Sequence, residues 1–151
     1  MRYVLGLGNY AMGDDSIGLR IVEHIAEHDL ESSFEAVEIA NNGMQVLTYF
    51  EPETERIVIA DSANFGGAPG EWICFSPDEV ESQKVVGNIS THEGDILKLI
   101  ALARQIDQPI PPIRIVAIQP KSMEMDESLS PELEESFPSY IEAVLNEVSI
   151  D

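Results

Sequence analysis

Val4-Leu-Gly-Leu-Gly-Asn-Tyr-Ala-Met-Gly-Asp-Asp-Ser-Ile-Gly18 is the stretch on which the reading of the whole chain turns. It starts as an apolar strand that ends in Gly6 and Gly8, and a helical pattern begins just after Asp14 and Asp15. A strand, a glycine turn and a helix in that order usually carry a ligand at the strand's C-terminal end. Two carboxylates in such a crevice point to a cation or a metal-bearing partner, because they would repel a phosphate.

Outward from this stretch, the apolar pattern alternates between strand and helix. Tyr3 to Leu7 reads as a buried strand, and Ile17 to His28 as an amphipathic helix with Ile17, Ile21, Val22 and Ile25 on one face. Phe34 to Ile39 fits a second strand, and Met44 to Phe50 a short helix that stops before Pro52. Arg56 to Ala60 is a third strand, apolar throughout after its first residue, as a strand covered on both faces should be.

The connection Ser62 to Gly70 is too short and glycine-rich to hold a crossover helix. The next strand, Glu71 to Phe75, is therefore expected to run antiparallel to the others. Ser76 to Ser90 reads as irregular and acidic, and Thr91 to Gln105 as a helix. The prolines of Gln108-Pro-Ile-Pro-Pro112 block its continuation, and Ile113 to Ile118 is a fifth strand. A charged loop, Gln119 to Leu129, leads to Ser130-Pro131-Glu132, which opens a last helix that Pro138 should kink or break. The expected fold is one α/β domain over residues 1–151, a three-layer α/β/α sandwich with a mixed, mostly parallel five-stranded sheet of the phosphorylase/hydrolase-like kind.

Composition narrows the function. The chain has 28 acidic and 8 basic residues, a formal charge of −20. Nucleic acid is a poor partner for such a surface, since phosphate contacts need clustered Lys and Arg, and anionic membranes are equally unsuited. Solubility or high-salt adaptation on one side, and the steering of a basic partner on the other, account for the charge equally well. The single cysteine, Cys74, forbids an internal disulfide and fits a reducing cytoplasmic location. No signal peptide or membrane-spanning run is visible.

Ligands in a sheet of this kind sit beyond the C-terminal ends of the strands. Three groups fall there: Asp14 and Asp15 after the first strand, Asp61 directly after the third, and His92 at the start of the helix before the fifth. Two carboxylates and an imidazole form an O,O,N set that suits zinc, nickel or manganese and leaves coordination positions open. Each residue also has a bland role, as a helix cap for Asp14 or Asp15, a turn residue for Asp61 and a first-turn surface residue for His92.

Other features carry less. Gly6-Leu-Gly-Asn-Tyr-Ala11 fits a relaxed dinucleotide fingerprint, with Glu38 as a possible ribose acid, but Asp14 and Asp15 stand where the diphosphate would approach. His24 and His28, four apart, lie off the apolar stripe of their helix and read as a solvated face. Cys74 reads as a small buried apolar residue. Neither a nucleophile elbow nor a zincin motif is present.

Gly6-Leu-Gly-Asn9 with Gly13-Asp-Asp-Ser-Ile-Gly18 resembles the opening of the nickel–iron hydrogenase maturation endopeptidases. Ile59-Ala-Asp-Ser62, Ile89-Ser-Thr-His92, Ile118-Gln-Pro120 and Leu129-Ser-Pro-Glu132 extend the resemblance over nearly the whole chain. It implies removal of a short C-terminal extension from the precursor of the hydrogenase large subunit after nickel insertion. It implies Asp15, Asp61 and His92 as the metal-contacting and catalytic positions. It also implies nickel carried by the substrate, with zinc or another divalent metal as an alternative in the free protein, and a monomer that needs no other cofactor.

Two mechanisms fit that resemblance. A metal on Asp15, Asp61 and His92 could polarise the scissile carbonyl and acidify a bound water. Alternatively, the three residues read the nickel already in the precursor, which accounts for the lack of any protein nucleophile. One departure stands out: where the family shows an Asp-Gly-Gly segment after the second strand, this chain has Ala40-Asn-Asn-Gly43. A non-hydrolytic module that binds nickel or the precursor is the alternative from another class, and a dinucleotide-binding protein a third.

Overall fold

A computed structural model of the chain describes residues 1–40, 43–81 and 92–150, with backbone alone at 40, 80, 81 and 92–95. Five strands form one sheet: β1 (Arg2–Leu7), β2 (Phe34–Ala40), β3 (Arg56–Ser62), β4 (Trp72–Phe75) and β5 (Ile113–Ile118). Their spatial order is β2-β1-β3-β5-β4. All neighbours pair parallel except β4, which runs antiparallel to β5. The short link from Ser62 to Trp72 dictates that reversal, as the sequence predicts.

Successive strand residues point to opposite faces, and both faces are apolar. Val4, Val58, Ala60 and Val116 pack under α1 (Ile17–Glu27) and the C-terminal helix Pro131–Ser149, against Ile17, Ile21, Ile25, Leu133, Tyr140 and Val144. Leu5, Leu7, Ile57, Ile59 and Ile115 pack on the other face, against Val46, Phe50, Ile96 and Ile100. Val46 comes from the 3-10 segment Gly43–Tyr49, Phe50 from the residue directly after it, and Ile96 and Ile100 from the helix His92–Gln105. Each fully buried aliphatic side chain contributes about 1.5–3 kcal/mol, so the two layers together hold the sheet from both sides.

Three local expectations are corrected. Gly43–Tyr49 is a 3-10 helix and begins one residue earlier than expected. Pro77–Glu81 forms a short helix, here α2, inside the stretch expected to be irregular. Ser76 starts it: its carbonyl accepts the Glu79 N–H at 3.1 Å, and its hydroxyl faces Glu79 Oε1 at 3.4 Å, while Pro77 takes the first helical position. The helix His92–Gln105 is α3, and Pro131–Ser149, α4, runs through Pro138 without a break. Proline removes only one rung there, and Leu133 on one side and Tyr140 and Ile141 on the other anchor both halves of α4 to the sheet.

Close approach of α1 to the sheet positions everything that follows. A Cβ on Gly18 would lie 2.2 Å from the Ala60 carbonyl oxygen and 2.4 Å from that of Leu7. The first turn of α1 therefore rests directly on the ends of β1 and β3. Gly18→Ala is expected to lower the unfolding free energy by about 1–3 kcal/mol, the cost of forcing backbone apart in a packed core. Urea denaturation reads this as a lower midpoint with an unchanged slope.

Candidate active site at the β1/β3 crevice

The chain leaves β1 through α1 on one face to reach β2, then crosses back through the 3-10 segment on the other face to reach β3. Connections that diverge in this way open a crevice at the C-terminal ends of the two strands between them, here β1 and β3. Both candidate carboxylates lie in it. Asp15 sits in the 3-10 turn Gly13–Ser16 that follows β1, and Asp61 is the penultimate residue of β3. Asp15 is 6% exposed and Asp61 1%.

The turn is held in place by backbone. Gly8 has φ +140°, and a Cβ there would lie 2.0 Å from the Asp15 carbonyl oxygen. Only glycine lets that turn lie so close, and the Asn9 N–H donates to the same carbonyl at 3.3 Å. The glycines thus admit the protein's own backbone where a dinucleotide fold would admit pyrophosphate. Glu38, the candidate ribose acid, instead accepts a 2.5 Å hydrogen bond from the Tyr10 hydroxyl.

Asp14 and Asp15 are neighbours with different work. Asp14, fully buried, accepts hydrogen bonds from the N–H groups of Lys121 (2.8 Å), Ser122 (3.0 Å) and Ser130 (2.8 Å), and from the Ser130 hydroxyl (2.7 Å). Burial pushes its pKa up, but these donors outweigh it and leave the carboxyl below its ordinary value. It ties the loop between β5 and α4 to the turn. The backbone adds to the tie through Gly13 N to Asp126 O at 2.7 Å and Asp14 N to Ser122 O at 3.0 Å.

Asp15 turns the other way. Its Oδ1 accepts the Ser62 hydroxyl at 2.8 Å, and the Ser62 N–H donates to Asp61 Oδ1, also at 2.8 Å. One fully buried serine thus touches both acids. Sequence reasoning passed over Ser62, since a hydroxyl beside an acid has no periodic signature; its place directly after the candidate Asp61 was the available hint. By strand alternation Asp61 faces the same side as Ile57 and Ile59, the side covered by α3, which opens at His92. The His92 side chain, Asn41 and Asn42 lie outside the described residues.

Among the described residues no three His, Cys, Asp or Glu side chains cluster closely enough to hold a metal ion. Two carboxylates buried within reach of one serine still suit a divalent cation, whose charge would offset their mutual repulsion. With an imidazole from His92 the donor set would be the mixed oxygen and nitrogen set that nickel and zinc accept.

The remaining candidates do not join this crevice. His24 and His28 stack ring on ring at 4.0 Å, with His28 Nδ1 3.0 Å from the His24 carbonyl oxygen. Cys74, on β4, is half-buried and not wholly apolar in its contacts: its thiol donates to Glu147 Oε1 at 3.2 Å, and burial together with that carboxylate pushes its pKa up to about 11. Such a thiol is a poor nucleophile near neutral pH. A cavity of about 510 Å³ lies at the opposite end of the sheet, beside Arg56, Arg104, Arg114 and Pro111-Pro112. Its arginines already face Glu147, Asp78 and Glu79 at 3.0–3.7 Å, so it offers no surplus of positive charge. No described helix is long and apolar enough to cross a membrane.

Comparison with known proteins places the chain among relatives. The model of a family described as hydrogenase maturation protease matches residues 19–147. The chain is 28% identical over 122 residues to the hydrogenase expression/formation protein HupD of Rhodobacter capsulatus, covering 80% of this chain and 58% of that protein. It is 27% identical to HupD of Thiocapsa roseopersicina, covering 94% and 65%. It is also 27% identical to the hydrogenase 2 maturation protease of Escherichia coli, covering 94% and 87%. The chain thus spans less than two thirds of the length of the two HupD proteins. In structure it is similar to the hydrogenase maturating endopeptidase HybD of Escherichia coli, at a TM-score of 0.79 and 25% identity over 99% of this chain and 94% of that one. A [NiFe] hydrogenase maturation protease HybD of Thermococcus kodakarensis superposes with a TM-score of 0.77 at 27% identity, covering 98% and 99%.

Proposed function

The chain belongs to the hydrogenase maturation protease family, and on that premise we propose that it is an endopeptidase that removes the C-terminal extension of a nickel-loaded hydrogenase large-subunit precursor. The observation that carries this reading is the meeting of Asp15 and Asp61 at the β1/β3 crevice, both buried and both held by Ser62. Nickel enters as part of the substrate. Asp15, Asp61 and His92 contact it, and zinc or another divalent cation can stand in for it in the free protein.

In this reading the protein recognises the metal centre and positions the tail, and it supplies no covalent nucleophile. The separation of Cys74 from the crevice and its raised pKa support that assignment. The two carboxylates contribute negative charge that a metal-bearing precursor offsets and a metal-free one does not, so a precursor without nickel binds less well and is left uncut. The protein acts in the cytoplasm, as a monomer.

The test is the intact mass of a nickel-loaded large-subunit precursor incubated with and without this protein. Loss of a defined C-terminal fragment only when nickel is present is the expected outcome. Complex formation with an unchanged mass would overturn the endopeptidase assignment in favour of a binding module.

A further inference from the structure

We infer that Ser62 is the positioning residue of the site, setting Asp15 through its hydroxyl and Asp61 through its N–H so that the pair presents one fixed set of oxygens to a divalent metal. The inference rests on the proposed function, in which those acids face a metal.

The geometry is specific to this residue. Ser62 ends β3, is fully buried, and reaches both its own neighbour Asp61 and Asp15, which lies 47 positions away from it in the chain. Its hydroxyl to Asp15 Oδ1 and its N–H to Asp61 Oδ1 are both 2.8 Å, so each acid has one oxygen engaged by the same residue. The N–H bond is backbone and survives any substitution except proline. The hydroxyl bond does not, and it is the one that links the turn after β1 to the end of β3. A carboxylate on a short aspartate arm has only two side-chain torsions to fix, and one strong hydrogen bond to a buried hydroxyl sets them. Groups that orient metal ligands in this way typically change metal affinity by about 10–100-fold when removed.

The experiment is isothermal titration of the full chain with Zn²⁺ and with Ni²⁺, in unchanged protein and in Ser62→Ala, Ser62→Thr and Ser62→Val, with thermal unfolding of each. Thr and Val have the same shape and differ in the hydroxyl alone, so any packing strain is common to both. Ser62→Ala and Ser62→Val are expected to bind metal about 10–100-fold more weakly than unchanged protein, and Ser62→Thr within a few-fold of it. Equal affinity of the Thr and Val variants would overturn the inference, whether or not Ser62→Ala folds. Failure of the unchanged protein to bind either metal would overturn the proposed metal-facing role of Asp15 and Asp61, and the inference with it.

Discussion

Asp15→Asn and Asp61→Asn are each expected to cut precursor processing by more than about 100-fold while leaving the fold intact. The scale follows from the smaller losses, about 10–100-fold, that accompany removal of groups one step further from a metal. Asparagine keeps the size of the side chain and a carbonyl oxygen, so the Ser62 hydroxyl and N–H keep an acceptor in each variant. What disappears is one of two negative charges in a buried crevice. Relief of that repulsion predicts an unchanged or higher melting temperature in the absence of metal, set against the lost activity. His92→Ala is expected to abolish processing in the same way. Mass spectrometry of the precursor together with a thermal melt of each variant checks both halves. Native-rate processing by any of the three would remove that residue from the site.

The second large effect lies one residue away and has the opposite signature. Asp14→Ala is expected to destabilise the protein by about 3–5 kcal/mol, because it strands four donors, the N–H groups of Lys121, Ser122 and Ser130 and the Ser130 hydroxyl. Asn at this position recovers part of that loss, since its amide has one acceptor oxygen where the carboxylate has two. The pH dependence follows from the lowered pKa of Asp14. Below the unfolded carboxyl value, about 3.9, the unfolded chain holds the proton and the native chain does not. The Asp14 contribution is therefore complete above that pH and is lost as pH falls through the lower native value. Urea midpoints between pH 2 and pH 6 should show a steep acid limb in the unchanged protein and a shallower one in Asp14→Ala.

The contrast between these neighbours marks how far sequence reading reaches here. Runs such as Val4–Leu7 and Ile57–Ala60 show as buried strands because burial on both faces leaves no polar alternation. The short Ser62–Trp72 link even dictates the direction of β4. Chemistry-bearing residues at strand ends are visible for the same reason, so Asp15 and Asp61 stand out. Spacing and residue type alone do not separate Asp14 from Asp15, because the donors to Asp14 come from a loop more than a hundred positions away; the family resemblance, and not the local pattern, singles out Asp15. Ser62 escapes for a similar reason: its meaning lies in a contact with Asp15, not in its neighbours. The Pro77–Glu81 helix had its signal in Ser76-Pro77-Asp78-Glu79, an N-cap, a proline and first-turn acids that a reading of the whole stretch by its acidic composition leaves out. At Pro138 a local rule gave way to tertiary packing on both sides of one lost rung.

The Asp14 tie also sets an order of events during synthesis. Residues 1–62 bring β1, β2, α1 and β3 out of the ribosome early, with both crevice acids already among them. The donors that close over Asp14 emerge only with residues 121–130, and α4 follows those. Pairings so distant in the chain form late, after the entropy of the intervening loop has been overcome. A nascent chain therefore carries Asp15, Asp61 and the serine that engages both before it has the loop that ties their turn down through Asp14.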